Sequence, residues 1–238
     1  MAHDREAYAA LIRNAPPAGG QGIPAATVIV MRDGAAGPET LMLRRNAKLA
    51  FVGGAWVFPG GRVDPADRDG ARDDLEAARR AALREAREEA GIEIAADSLV
   101  PFSHWTPPSM TPRRFLTWFF IAPAPAGEVC IDDGEIKDHC WMDARRAMQR
   151  RNAGEIELAP PTWISLERLA TYDSVAHALA DSAGRPPDIY ETRIALTDEG
   201  PVALYDGDAG YASGDPTAPG ARHRLEMRDS GWVYLRDA

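Results

Sequence analysis

EAARRAALREAREEAGI, residues 76–92, is the stretch on which the fold turns. It is rich in Ala, Leu, Arg and Glu, all good helix formers, and the helical pattern runs from Asp74 to Ala90. Gly91 stands where a C-cap glycine belongs. Leu75, Ala78, Ala82, Ala86 and Ala90 fall on one face, so the helix has a dry side able to sit close against a sheet. Glu85, Glu88 and Glu89 occupy positions i, i+3 and i+4, which gathers three carboxylates on another face. Like charges at that spacing destabilise a helix by roughly 0.2 to 0.5 kcal/mol per pair, so a cation should compensate. Two sources are open: the arginines of the same helix, Arg80, Arg84 and Arg87, in an ordinary solvated face, or a hard divalent ion held by oxygen ligands. Arg84 is placed to hold Glu85 or to reach back towards Glu76.

Upstream, Ala26–Arg32 (ATVIVMR) and Thr40–Arg45 (TLMLRR) read as strands joined by the turn-forming DGAAGPE, and AWVF, residues 55–58, as a third. That third strand ends in Pro59-Gly60-Gly61, where glycines let backbone groups approach a ligand closely. The segment GRVDPADRDG, residues 61–70, is expected to be a loop. Downstream, SLVPFSHW, RFLTWFFIA and HCWM fit strands. Strands alternating with one long helix point to the α/β class. Two further helices are expected, Ala144–Asn152 and Thr162–Ser182, followed by short strand-like pieces in TRIAL, VALY and GWVYL. The expected organisation is an N-terminal helix (Arg5 to Arg13) and linker over residues 1–24, a core over 25–145, and an extension over 146–238 packed on that core.

Composition sets the outer limits. A chain of 238 residues with 45% hydrophobic and 26% charged residues can bury a real core without staples. Cys130 and Cys140 have no metal-ligand spacing and are expected to be reduced thiols. The first twenty residues, MAHDREAYAALIRNAPPAGG, contain no uninterrupted apolar run, so no signal peptide or membrane anchor is expected and the default location is cytoplasmic. A net charge of −9 argues against nucleic acid or an anionic membrane as partner. It leaves room for a phosphorylated small molecule, because a divalent metal inverts the local field.

Taken with Gly70 as its first glycine, the order Gly, five residues, Glu76, seven residues, Arg84-Glu85-Ala86-x-Glu88-Glu89-x-Gly91-Ile92 resembles the Nudix box. In that family the first glycine is normally the second of the PGG turn, here Gly61, which lies fifteen residues before Glu76. A nine-residue insertion, roughly Arg62 to Gly70, is therefore expected. The resemblance implies a Nudix α/β/α sandwich with a mixed sheet, here carrying a helical and short-strand C-terminal extension. It implies that Glu85, Glu88 and Glu89, with the Gly60 carbonyl, hold Mg²⁺, with Mn²⁺ as a substitute, and that Arg84 and Glu76 brace them. The activity implied is hydrolysis of a diphosphate linkage in a nucleoside diphosphate derivative, by in-line attack of metal-bound water. Nudix enzymes take their general base from a box glutamate or from one on a distal loop; Glu135 resembles the distal one, with Asp132, Asp133 and Asp138 as local competitors. The catalytic set is thus Glu85, Glu88, Glu135 and Arg84.

The segment LMLRRNAKLAFVGGAWVFPGG resembles the signature preceding the box in coenzyme A diphosphatases, including the peroxisomal type, at Leu41, Met42, Arg45, Gly54 and Phe58–Gly61. It departs at Ala50, where that signature has an arginine, and at Asn46, where it has a serine; nearby Lys48 does not replace a bidentate guanidinium. Coenzyme A or an acyl-coenzyme A is the first substrate implied, with ADP-ribose-like compounds next. Arg45, Gly61, Arg113 and Arg114 are the candidate substrate contacts. Trp105, Phe115 and Trp118 could stack on a base but fit a core role better, and His104 and His139 read as structural. A nucleotide-sensing module of the same fold without turnover is the alternative, although such a module would be expected to lose box carboxylates. A homodimer is compatible with the sequence, which offers no residue-level argument for one.

Overall fold

β1 (Gly22–Gly34) alternates buried residues between two faces, Ala26, Val28 and Val30 on one and Ile29 and Met31 on the other. Cover on both sides is what makes such a strand read as an almost continuous apolar run. The computed structural model describes residues 6, 8–10, 22–35, 37–47, 53–131 and 134–237. Of the helix expected over residues 5–13, Glu6 and Tyr8–Ala10 are described and helical; its remainder lies outside the described residues, as do Lys48, Ala50, Asp132 and Asp133.

β1 turns into antiparallel β2 (Gly37–Arg45) and lies parallel to β6 (Arg114–Pro123). β5 (Val100–Thr106) runs antiparallel to β6, and β8 (Asp188–Glu191) parallel to β5. β3 (Trp56–Val57) and β7 (Ile136–Asp143) both pair with β2, and β4 (Gly60–Arg62) pairs with β1. The result is a mixed eight-stranded sheet with the path β3-β2-β1-β6-β5-β8.

One face is covered by α2 (Asp74–Ala90), whose Ala78, Ala81, Ala82, Ala86 and Ala90 pack on Ala26, Val28, Val30, Leu41 and Phe120. The other face meets α3 (Ala144–Asn152), α4 (Pro160–Leu169) and α5 (Val175–Ala183), through Ala147, Trp163, Leu166 and Val175 against Ile29, Met31 and Phe119. This is the α/β/α sandwich expected from the sequence. A second, antiparallel sheet, β9 (Arg193–Thr197), β10 (Gly200–Leu204), β11 (His223–Arg228) and β12 (Gly231–Arg236), contributes Tyr205, Leu225, Met227 and Trp232 to the same core as α4. Among the described residues no helix is long and apolar enough to cross a membrane.

Three expectations are corrected. The helix expected over Thr162–Ser182 is two helices: α4 stops at Leu169, and α5 restarts at Val175 with Ser174 Oγ accepting from His177 N at 3.2 Å. Asp33, at the end of β1, accepts from the Val175 N–H at 2.8 Å and so fixes where α5 begins. The supposed loop after the glycine turn contains a four-residue helix, α1 (Pro65–Arg68). Strands β4, β8 and β11 lie outside the expected strands.

Candidate active site

The glycine turn is held by β1. Thr27 Oγ1 and Val28 N both donate to Pro59 O, at 2.6 and 3.0 Å. Glycine is required by close approach here: a β-carbon on Gly60 would lie 2.6 Å from Ala26 O, and one on Gly61 would fall on the Glu85 carboxylate. The alanine stripe of α2 brings the helix that near. Its ends are set locally, by Asp73 accepting from Glu76 N at 2.8 Å and by Gly91 at φ 65°.

Two box carboxylates therefore meet the turn. Glu89 is 6% exposed, and its Oε2 accepts from Gly60 N at 2.9 Å. Burial pushes its carboxyl up to about 8; the Gly60 N–H and Arg45 oppose that rise, while Glu85 and Glu135 add to it. Glu85 is also raised, first by burial and further by Glu88 and Asp64, against the pull of Arg84. Glu88 is 52% exposed at its side chain.

Arg84 is the cation among them. Its Nη1 donates to Glu85 Oε1 at 2.8 Å and Glu88 Oε2 at 3.0 Å. Its Nε and Nη2 donate to the two oxygens of Asp67, at 3.2 and 3.0 Å, and Nη2 also reaches Arg62 O at 2.9 Å. Of the two links open to Arg84, the one to Glu85 is made and the one to Glu76 is not: Glu76 is held by Arg72 and Arg80, at 2.8 and 2.9 Å, and their hydrogen bonds bring its carboxyl down to about 2. Asp67 is the residue that sequence reasoning missed. The available signal was Asp64-Pro-Ala-Asp67, in which Asp67 Oδ2 accepts from Asp64 N at 2.8 Å, a pattern typical of a helix start.

Arg45, at the end of β2, points its Nη2 to Glu135 Oε2 at 3.5 Å. Asn46 ties the loop before β7 to β2 by donating from N to Glu135 O at 2.7 Å and from Nδ2 to Gly134 O at 3.1 Å. The structure thus brings Arg45, Gly60, Gly61, Arg84, Glu85, Glu88, Glu89 and Glu135 into one region. Asp138 instead pairs with Arg44 at 3.5 Å. Arg114 sits opposite Gly22, five residues along β1 from Thr27, which is about 16 Å of strand from the turn, and Arg113 precedes it. Trp105 is buried and stacks on Tyr190 with ring centroids 3.9 Å apart, a core role; Trp118 packs at 4.7 Å from His104.

Among the described residues no three His, Cys, Asp or Glu side chains close on a common point from which they could hold an ion as placed. The donor chemistry still fits a hard divalent cation: an oxygen-only set, with a buried carboxyl raised by burial and by two neighbouring acids, is a site whose repulsion such a cation relieves.

Residues 22–169 match the model of the NUDIX domain family. A 170-residue stretch is 28% identical to a Caenorhabditis elegans protein provisionally named nudix hydrolase 7, and it covers 56% of each chain. Little more than half of that relative is therefore matched. Among solved structures, a NUDIX hydrolase from Alicyclobacillus acidocaldarius superimposes with a TM-score of 0.63 at 26% identity, over 69% of this chain and 98% of that one. A MutT NUDIX hydrolase from Burkholderia pseudomallei gives a TM-score of 0.48 at 23% identity, over 62% of this chain and 98% of that one.

Proposed function

Because this chain belongs to the NUDIX domain family, we propose that it hydrolyses a diphosphate linkage in a nucleoside diphosphate derivative, with a divalent cation as cofactor. The observation that carries this reading is the clamp of Glu89 on the Gly60 N–H beside Glu85 on Gly61, which gathers carboxylate oxygens at a half-buried glycine turn.

On this reading Glu85, Glu88 and Glu89, with the Gly60 carbonyl, would hold Mg²⁺ or Mn²⁺. The cation would supply positive charge against the diphosphate oxygens and acidify a water for in-line attack. The protein's own groups do the rest. The two glycines let β1 and the Glu85 carboxylate close on the turn, which packs the acid cluster against it. Arg45 offers a guanidinium to a phosphoryl oxygen, and its contact with Glu135 sets that carboxylate where it can orient a water or take its proton. Arg84 keeps Glu85 and Glu88 from splaying. Arg113 and Arg114 would meet the far end of a substrate, not the linkage that is cut.

Coenzyme A or an acyl-coenzyme A is the substrate proposed first, resting on the Leu41–Gly61 signature alone, with ADP-ribose-like compounds second. Assaying phosphate-containing products from coenzyme A, ADP-ribose, NADH and nucleoside triphosphates, with and without Mg²⁺, tests the class. Tight nucleotide binding with no turnover on any of them would replace the hydrolase by a sensor. Ala50→Arg tests the branch: a gain confined to coenzyme A supports it, and an unchanged rate removes it.

A further inference from the structure

We propose that Asp67, on the helix inserted between the glycine turn and the carboxylate helix, is a positioning residue that sets how Arg84 shares itself between Glu85 and Glu88. The inference rests on the reading of Glu85 and Glu88 as cation ligands and deepens it.

A guanidinium has five N–H donors in a rigid plane. In Arg84 all five are committed. Nε and one Nη2 hydrogen go to the two oxygens of Asp67, the other Nη2 hydrogen goes to Arg62 O, and the two Nη1 hydrogens go singly to Glu85 Oε1 and Glu88 Oε2. Asp67 is the anchor of this arrangement. Its side chain is 6% exposed, and it is fixed from behind by the Asp64 N–H, whereas Glu88 stands largely in solvent.

The consequence is geometric. Arginine and a carboxylate prefer a two-pronged pairing, fork to fork. Asp67 takes that pairing, so Glu85 and Glu88 each surrender one oxygen to Arg84 and keep the second out of the guanidinium's grip. Without Asp67 the fork is released to turn onto Glu85 or Glu88 and occupy both oxygens of a residue meant for the cation. The segment between the glycine turn and α2 is therefore more than a spacer: it carries the counter-charge that leaves the acid cluster able to bind.

Mn²⁺ binding to the whole protein, measured by calorimetry without substrate, tests this beside the Mg²⁺ dependence of turnover. Asp67→Asn keeps the shape and removes the charge. Its Mn²⁺ affinity and its half-saturating Mg²⁺ are expected to worsen by about 10- to 100-fold, and Asp67→Glu to recover part of the loss. If Asp67 served only to start α1, the melting temperature would fall and Mn²⁺ affinity would not move; that result overturns the inference. Should Asp67→Asn fold poorly, Asp67→Ser, which can still accept from the Asp64 N–H, takes its place with the same expected loss; where Asp67→Asn folds, its double variant with Arg84→Lys is expected to bind Mn²⁺ no worse than the weaker single one. Full additivity overturns the inference too. A wild-type protein that binds Mn²⁺ and whose Asp67→Asn form binds it equally well removes the role of Asp67 alone. A wild type that neither binds Mn²⁺ nor hydrolyses any substrate removes the functional reading and this inference with it.

Discussion

The backbone N–H of Gly60 donates to Glu89 Oε2 across 2.9 Å, joining the glycine turn, which pairs with β1, to the carboxylate helix that packs on the same strand. The two glycines of that turn are constrained by different things, so their alanine variants should fail differently. At Gly60 an added carbon meets backbone, Ala26 O at 2.6 Å, which cannot yield without moving β1. Gly60→Ala is expected to lower stability by about 1 to 3 kcal/mol, as overpacking does. At Gly61 the added carbon meets only the end of the Glu85 side chain, which can swing away. Gly61→Ala should keep the wild-type melting temperature while losing turnover and weakening the response to Mg²⁺. Equal melting temperatures for the two variants would contradict this account.

Glu88→Gln and Glu89→Gln separate charge from packing. Each keeps its volume, and the Glu88 change also relieves repulsion among acids at helical spacing, whereas Glu89, raised to about 8, carries little charge at neutral pH until a cation draws off its proton. Neither should unfold the protein, and turnover on the best substrate should drop by about 100-fold or more. Near wild-type rates in both variants would dismiss the proposed ligand set.

Local signals made some of this legible beforehand. Gly91 ends α2 after Ala90 in a single-residue event that propensity can see, and β1 is legible as a β-branched, apolar run bounded by turn residues. The sequence reading carries one helix through Ala170–Ser174; Ser174 caps the restart of α5 locally, and Asp33, 142 residues away, fixes it by accepting from Val175 N. β8 lies at the sheet edge and alternates buried with exposed positions, but Asp188 takes a buried position and Ile189 is half exposed, so its hydrophobicity does not follow its burial. The glutamates of the box were legible as a face, and their true counter-ion was half legible. Arg84 was identified, but its anchor Asp67 is seventeen residues away in a segment read as a loop. Pairings made across the fold leave no periodic trace in either partner's neighbourhood.

Glu135 and Arg45 should act on the chemical step more than on the fold. The Glu135 side chain is 62% exposed and 3.5 Å from Arg45 Nη2, so little packing depends on it. Glu135→Gln is expected to lower kcat by about 10²-fold or more, the scale of a lost general base, while leaving KM and the melting temperature close to wild type. Arg45→Gln should instead raise KM, because it removes a phosphate contact. If Glu135→Gln turned over at the wild-type rate, a box glutamate would have to be the base.

The second sheet carries the clearest acid-sensitive element. Both oxygens of buried Asp208 accept from Arg224, at 2.7 and 2.6 Å, and the backbone N–H groups of Gly210 and His223 complete its shell at 2.8 and 2.9 Å. Burial alone would raise this carboxyl, but Arg224 and the two amides outweigh it and bring the group from its ordinary 3.8 to about 2. A depressed folded-state value means that the stabilisation, roughly 2 kcal/mol by linkage, is fully present above about pH 4 and fades as pH falls through about 2. Wild-type melting temperature should therefore fall more steeply from pH 4 to pH 2 than that of Asp208→Asn. At neutral pH the variant should already be weaker by about 3 to 5 kcal/mol, because Arg224 is left buried without its partner. For a chain of this size that is roughly 10 °C in melting temperature. Glu76, also held near 2, contributes acid sensitivity to both proteins and cancels in the difference. Parallel pH profiles for the two would show that the Asp208–Arg224 pair is not what makes this sheet sensitive to acid.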